Sequence, residues 1–214
     1  MSKPAAFDVV VMAASAGGHS ACRTILSGLP EYFPAPIVLS RHQRANNGQR
    51  LLAAALDRTS PLNVTPAVSG QPLRAGTAYV TPGGQHAVVD GGGRLQLADG
   101  GAAADRGGDA LFDSAARHHG RRALAVILTG RLDDGAVGVR AIKRGGGRVL
   151  IQDPADAEAS GMPTAALATG CVDLVLPLEL MTSALVALVM APGAAELFQT
   201  PLPAWADMAI PPGR

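Results

Sequence analysis

Apolar residues in this chain gather in short unbroken runs that alternate with stretches of helical spacing. Val9, Val10, Val11 and Met12 are four apolar residues in a row, three of them β-branched, which marks a strand buried on both faces. Ala21, Cys22, Ile25, Leu26 and Leu29 then recur on one helical face until Pro30 stops it. The pattern predicts strands over 7–12, 36–40, 63–68, 123–128, 148–152 and 172–176. It predicts helices over 20–29, 47–58, 109–119, 136–144, 162–169 and 179–190. Between 77 and 98 the period changes. Three short strands, 77–81, 86–90 and 94–98, are separated by Pro82-Gly83-Gly84 and Gly91-Gly92-Gly93 and read as a small antiparallel meander.

Alternating strands and helices with continuously apolar strands predict an α/β fold: a doubly wound, mostly parallel, Rossmann-like three-layer sheet with the meander inserted. After Ala191 prolines accumulate (Pro192, Pro201, Pro203, Pro211, Pro212), and the chain reads as a Pro-rich tail over 192–214 without regular structure. The expected organisation is therefore one catalytic-type unit over 1–191 followed by that tail.

Composition narrows the picture further. The chain has 214 residues, 48% hydrophobic and 16% charged, so a sizeable core is available; at 3% aromatic, that core must be Val, Leu, Ile and Ala. A net charge of +1 gives no argument for nucleic acid or an anionic membrane as partner. The longest apolar runs, such as 184–191, are too short to cross a bilayer, and no signal peptide is visible. Cys22 and Cys171 lack metal-ligand spacing and read as small buried hydrophobes in a reducing, cytoplasmic setting.

In parallel sheets, sites lie beyond the carboxyl ends of the strands. That rule selects three loops: Ser15 after the first strand, His42 after the second, and Asp133-Asp134 after the strand at 123–128. Ser15 stands where a buried strand turns into a helix through Ala16-Gly17-Gly18. Such a turn lifts a hydroxyl above the sheet edge and points the following amides at whatever the hydroxyl attacks. Alone, the same turn suits a phosphate-binding loop equally well. A serine nucleophile needs a base, and the base needs a carboxylate to fix its tautomer. His42 and Asp134 are the candidates. The order Ser, His, Asp differs from that of α/β-hydrolases, in which the acid precedes the histidine. His19 lies too close to Ser15 in sequence to face it, and His118 and His119 read as a solvated helix end. His86, at the start of a meander strand, is the second candidate for the rim of the site. No histidine or cysteine pattern suggests a metal.

A series of short motifs runs along the chain: Ala14-Ser15-Ala16-Gly17-Gly18, Leu29-Pro30, Phe33-Pro34-Ala35-Pro36-Ile37-Val38, His42, Gly70-Gln71-Pro72-Leu73-Arg74-Ala75-Gly76-Thr77 and Thr81-Pro82-Gly83-Gly84-Gln85-His86. Then come Leu128-Thr129-Gly130, Asp134-Gly135-Ala136, Ala141-Ile142-Lys143, Gln152-Asp153 and Gly161-Met162-Pro163. In this order, over almost the whole chain, they resemble the motifs of the catalytic domain of the CheB family, the chemotaxis protein-glutamate methylesterases. The resemblance implies Ser15 as nucleophile, His42 as base and Asp134, not Asp133, as acid, with oxyanion amides around Ala16 and Arg131. It implies hydrolysis of glutamate methyl esters on the cytoplasmic domain of methyl-accepting chemoreceptors, deamidation of receptor glutamines, no cofactor, and neither nucleic acid nor membrane insertion.

The chain departs from the family pattern at four places. Ala13 stands where a glycine is usual, and Arg131-Leu132 replaces Met-Gly. Ser160 replaces an aromatic, and Arg106-Gly107-Gly108 replaces Arg-Pro-Ser. No receiver domain is recognisable ahead of the first strand, so the site is expected to be constitutively exposed or governed by a partner or by expression. Two other functions remain open at this point: a catalytically weak relative acting as a binding or adaptor module in a sensory pathway, and a nucleotide-binding protein using Ala16-Gly17-Gly18.

Overall fold

The computed structural model describes residues 5–41, 48–101, 105–191 and 193–207. Seven parallel strands form its sheet in the order β3-β4-β2-β1-β7-β8-β9. They are β1 (Val9–Ala14), β2 (Ile37–Arg41), β3 (Asn63–Pro66), β4 (Thr77–Val80), β7 (Ala123–Ile127), β8 (Arg148–Gln152) and β9 (Leu174–Leu176). All six residues of β1 are buried, because the strand lies between β2 and β7 with a layer of side chains on each face. Val10, Met12 and Ala14 pack with Ile25 and Leu26 of α1 (Gly18–Ser27), Leu52 and Leu56 of α2 (Gly48–Asp57), and Met181 and Leu185 of α6 (Leu178–Met190). Val9, Val11 and Ala13 face the opposite layer. There they meet Leu111 and Phe112 of α3 (Gly107–His119), Val139 and Ile142 of α4 (Ala136–Arg144), and Met162 of α5 (Gly161–Ala168). The chain leaves β1 toward β2 on one side and returns to β7 on the other. The sheet therefore changes winding direction at β1, the position beside which ligand crevices open in such folds.

The meander is smaller than the sequence pattern suggests. Residues 77–80 belong to the main sheet, pairing in parallel with β2 and β3. Only β5 (Gln85–Val89) and β6 (Leu95–Asp99) form the antiparallel hairpin. The burial patterns explain the difference: all four residues of β4 are buried, as between two neighbouring strands, whereas β5 alternates between exposed or half-buried and buried positions.

The tail also differs from expectation. It forms a helical turn, α7 (Ala194–Leu197), and a 3₁₀ turn at Ala204–Asp207. The buried Arg148 holds it down, donating from Nε to the Ala195 carbonyl (2.7 Å) and from Nη2 to Gln199 Oε1 (3.1 Å). The Arg140 guanidinium stacks 4.9 Å from the centre of the Trp205 ring. Proline content marks where the main helices end, but it does not prevent these short turns from docking on a preformed surface. His119 is likewise not a solvated residue: its side chain is largely buried, with Nδ1 3.6 Å from Asp8 Oδ2. Both cysteines are buried and free, and burial pushes the Cys22 thiol up to about 12, which leaves it unreactive.

One buried ion pair ties α4, β8 and the tail together. Lys143 Nζ bonds Asp173 Oδ1, and both side chains are almost fully buried. Asp173 also accepts the amides of Val149 (2.8 Å) and Thr200 (2.7 Å). Removing one member of a buried pair strands the other charge. Asp173→Ala is accordingly expected to lower stability by about 3–5 kcal/mol, read from urea unfolding. A loss under about 1 kcal/mol would mean that Lys143 finds water or another partner.

Candidate active site

The carboxyl ends of β1, β2 and β7 are level with one another. Ala14 pairs with Arg41, and Ala13 with both Ser40 and Ile127. Ser15 follows β1 at this edge and is half-buried. Its amide donates to the Thr129 carbonyl (3.0 Å), and its own carbonyl accepts the Gly18 amide (3.0 Å), closing the turn. Gly17 has φ +75°, a left-handed conformation that a β-carbon disfavours. A Cβ on Gly18 would lie 2.7 Å from the Ala14 Cβ. The Ser-Ala-Gly-Gly turn thus needs its two glycines, one for conformation and one for space.

Thr129 fixes this turn from the neighbouring strand, a role the sequence does not announce. Its hydroxyl donates to the Ala16 carbonyl (2.9 Å) and accepts the Ala159 amide (2.8 Å). Its amide donates to Oε1 of the buried Gln152 (2.9 Å), whose Nε2 in turn donates to Asp156 Oδ2 (2.9 Å). The available signal was a polar residue at the end of each of two buried strands. Gly130 passes directly beside Ser15: a Cβ there would lie 3.0 Å from the Ser15 Cβ and 2.0 Å from the Met162 sulfur. The Gly130 amide is taken by the Ala159 carbonyl (2.9 Å). Among the described residues the amides of Ala16, which follows Ser15, and of Arg131, which follows Gly130, donate to no protein acceptor. Amides without a protein acceptor can donate to a bound ligand.

Asp134 is 8% exposed. Its Oδ2 accepts the Gly108 amide (2.9 Å) and its Oδ1 the Asp109 amide (3.0 Å). The carboxylate thereby caps α3, which has no side-chain cap of its own. The two glycines that replace Pro-Ser allow the approach. A Cβ on Gly108 would lie 2.9 Å from both the Ala13 Cβ and Asp134 Oδ2, and one on Gly107 would lie 2.7 Å from Ser40 Oγ. The first turn of α3 is therefore wedged over the ends of β1 and β2, with Asp134 beside it. Burial pushes the Asp134 carboxyl above the ordinary carboxylate range, against the opposing pull of the Gly108 and Asp109 amides. Burial does the same to Asp109, whose Oδ1 accepts the Gly138 amide (2.9 Å).

Asp133 points elsewhere. It is exposed and paired with Arg106 Nη1 (3.0 Å). His86, on β5, has its Cδ2 3.7 Å from where a Cβ on Gly107 would stand, which puts it next to the wedge. His42 lies outside the described residues. Among the described residues no group of three or more His, Cys, Asp or Glu side chains is placed to hold a metal ion. Likewise, no helix among them is long and apolar enough to cross a membrane.

A family model described as CheB methylesterase matches residues 10–185. The protein-glutamate methylesterase/protein-glutamine glutaminase 2 of Anaeromyxobacter dehalogenans is 43% identical over 185 residues, which cover 86% of this chain and 54% of that protein. Its counterpart from Moorella thermoacetica is 42% identical over 198 residues, covering 87% of this chain and 45% of that protein. The chain thus spans about half the length of these relatives. The crystal structure of the Thermotoga maritima CheB methylesterase catalytic domain superposes with a TM-score of 0.78 at 32% identity, covering 86% of this chain and 99% of that one. On the extent of these matches, this chain belongs to the CheB methylesterase family.

Proposed function

We propose that the chain is a serine esterase that hydrolyses glutamate methyl esters on the cytoplasmic domain of methyl-accepting chemoreceptors, and that residues 1–191 form its catalytic unit. Glutamine deamidation by the same acyl chemistry goes with it, as in the names of the relatives. The observation that carries this reading is the meeting at β1 and β7 of the half-buried Ser15, two unengaged amides and the buried Asp134 carboxylate. A phosphate-binding reading leaves the buried Asp134 carboxylate without a role, since a carboxylate with no bridging cation repels phosphate.

In this mechanism Ser15 Oγ attacks the ester carbonyl while His42 takes its proton. The amides of Ala16 and Arg131 receive the oxyanion, and Asp134 steadies the imidazolium. His42 returns the proton to the methoxy group, which leaves as methanol. Water then attacks the acyl-serine, passing its proton through His42 to Oγ, and the glutamate carboxylate departs. His86 lines the rim. The reading is tested by incubating the protein with methyl-labelled receptor and counting released methanol; no release above a Ser15→Ala control defeats it.

Arg131 is exposed at the mouth of this site. A cation there attracts acidic residues flanking the target ester through a salt-screened field. Arg131→Met is expected to raise KM for an acid-flanked substrate by about two- to five-fold at low ionic strength, with kcat unchanged and the difference gone at high salt. Identical salt dependence in the two proteins would leave only the backbone amide of this residue with a role.

A further inference from the structure

Leu132 is the single non-glycine residue with positive φ (+62°) among the described residues. Its β-carbon is crowded in that conformation, and its side chain gains no core packing in return, being 69% exposed. The conformation is imposed by its surroundings. A Cβ on Gly161 would lie 2.7 Å from the Leu132 nitrogen and 2.8 Å from its oxygen, so the two backbones are in close contact. That contact is anchored in turn, because the Met162 amide donates to the Gly130 carbonyl (2.9 Å). A large apolar side chain is thus held in solvent at a fixed place, two residues beyond the glycine that touches Ser15. Val137, in the first turn of α4, is also 50% exposed, and Arg131, next to Leu132 in the chain, is exposed as well. Backbone strain of this kind persists only where the surroundings over-determine it, and it clusters at active sites and ligand clamps.

We propose that Leu132 is a specificity-determining residue. Resting on the esterase reading above, it packs against an apolar side chain of the protein segment that carries the ester, while Arg131 attends that segment's acidic residues. The occupant is a polypeptide with an apolar residue within about one helical turn of the modified glutamate, and the Arg131 charge favours an acidic one. Small esters do not reach Leu132.

The test compares wild type with Leu132→Asn and Leu132→Met. Asparagine tolerates the left-handed conformation, so it preserves the loop while removing the apolar surface; methionine preserves the surface. The substrates are a helical receptor fragment bearing glutamate γ-methyl esters and p-nitrophenyl acetate. Leu132→Asn is expected to raise KM for the fragment about ten-fold with kcat unchanged and p-nitrophenyl acetate turnover untouched, and Leu132→Met to stay near wild type. An unchanged KM for the fragment overturns the proposal, as does an equal loss on both substrates, which would make Leu132 a loop residue only. If wild type cleaves neither substrate, the esterase reading falls separately. Calorimetric titration of the fragment then decides for Leu132: about ten-fold weaker binding by Leu132→Asn upholds its role, and equal binding removes it.

Discussion

Ser15→Ala is expected to reduce methyl-ester hydrolysis by at least about a thousand-fold, His42→Ala by a similar factor, and the double variant by little more than either alone. The non-additivity follows from the chemistry. A hydroxyl without a base is a poor nucleophile, and a base without the hydroxyl has no proton to take. What remains in each variant is the contribution of the Ala16 and Arg131 amides and of substrate binding. The fold gives the comparison a clean background. Ser15 contributes its backbone to the turn through Thr129 and Gly18, and the alanine keeps both hydrogen bonds. Unfolding midpoints should therefore match wild type while methanol release disappears. Turnover near wild type in Ser15→Ala would end the mechanism. Multiplying losses in the double variant would mean that the two residues act in separate steps.

Much of this arrangement was legible in the sequence, for identifiable reasons. The strand at 148–152 and the helix at 136–144 have the predicted bounds, because Gly135 and Gly145 bracket the helix, Gly147 and Pro154 punctuate the strand, and no competing pattern overlaps them. The placing of Ser15 and Asp134 at strand ends followed from a rule about parallel sheets alone. The partners of β4 were not legible: Thr77-Ala78-Tyr79-Val80 reads as a strand in any sheet, and its parallel neighbours are fixed by tertiary packing. Asp134 as the cap of α3 was equally hidden. A carboxylate from the β7–α4 loop satisfies amides of a helix that precedes it in the chain, and no local spacing encodes that. Thr129 and Gln152 were visible only as motif letters. Their role depends on a chain of hydrogen bonds from Asp156 through Gln152 to Ala16 that exists only once β1, β7 and β8 are side by side. The strain at Leu132 is conformational and has no sequence signature beyond a leucine where relatives of this kind have glycine.

Asp134→Asn is expected to lower kcat/KM by about ten-thousand-fold, whereas Asp133→Asn changes it little. Asp133 is exposed and paired with Arg106, a contact worth at most about 1 kcal/mol. Asp134 uses both oxygens on the amides of Gly108 and Asp109. An asparagine offers one oxygen and turns an N–H₂ toward the other donor, so the side chain reorients, and in the proposed mechanism the hold on the His42 tautomer goes with it. The acid limb of the pH profile carries a second signature. The proposed mechanism requires the Asp134 carboxylate, but burial raises its pKa. Protonation of Asp134 is therefore favoured by folding. Its contribution to stability is fully present below its unfolded-state pKa and declines as pH rises through the higher folded value. On acidification, kcat/KM should therefore fall while still above the ordinary carboxylate range, as the buried Asp134 group takes up its proton, with no loss from this group in the urea midpoint across that window. Restoring neutral pH should restore activity in full. Loss of activity and fold in one transition, or a larger kinetic effect of Asp133→Asn than of Asp134→Asn, would take the triad assignment away from Asp134.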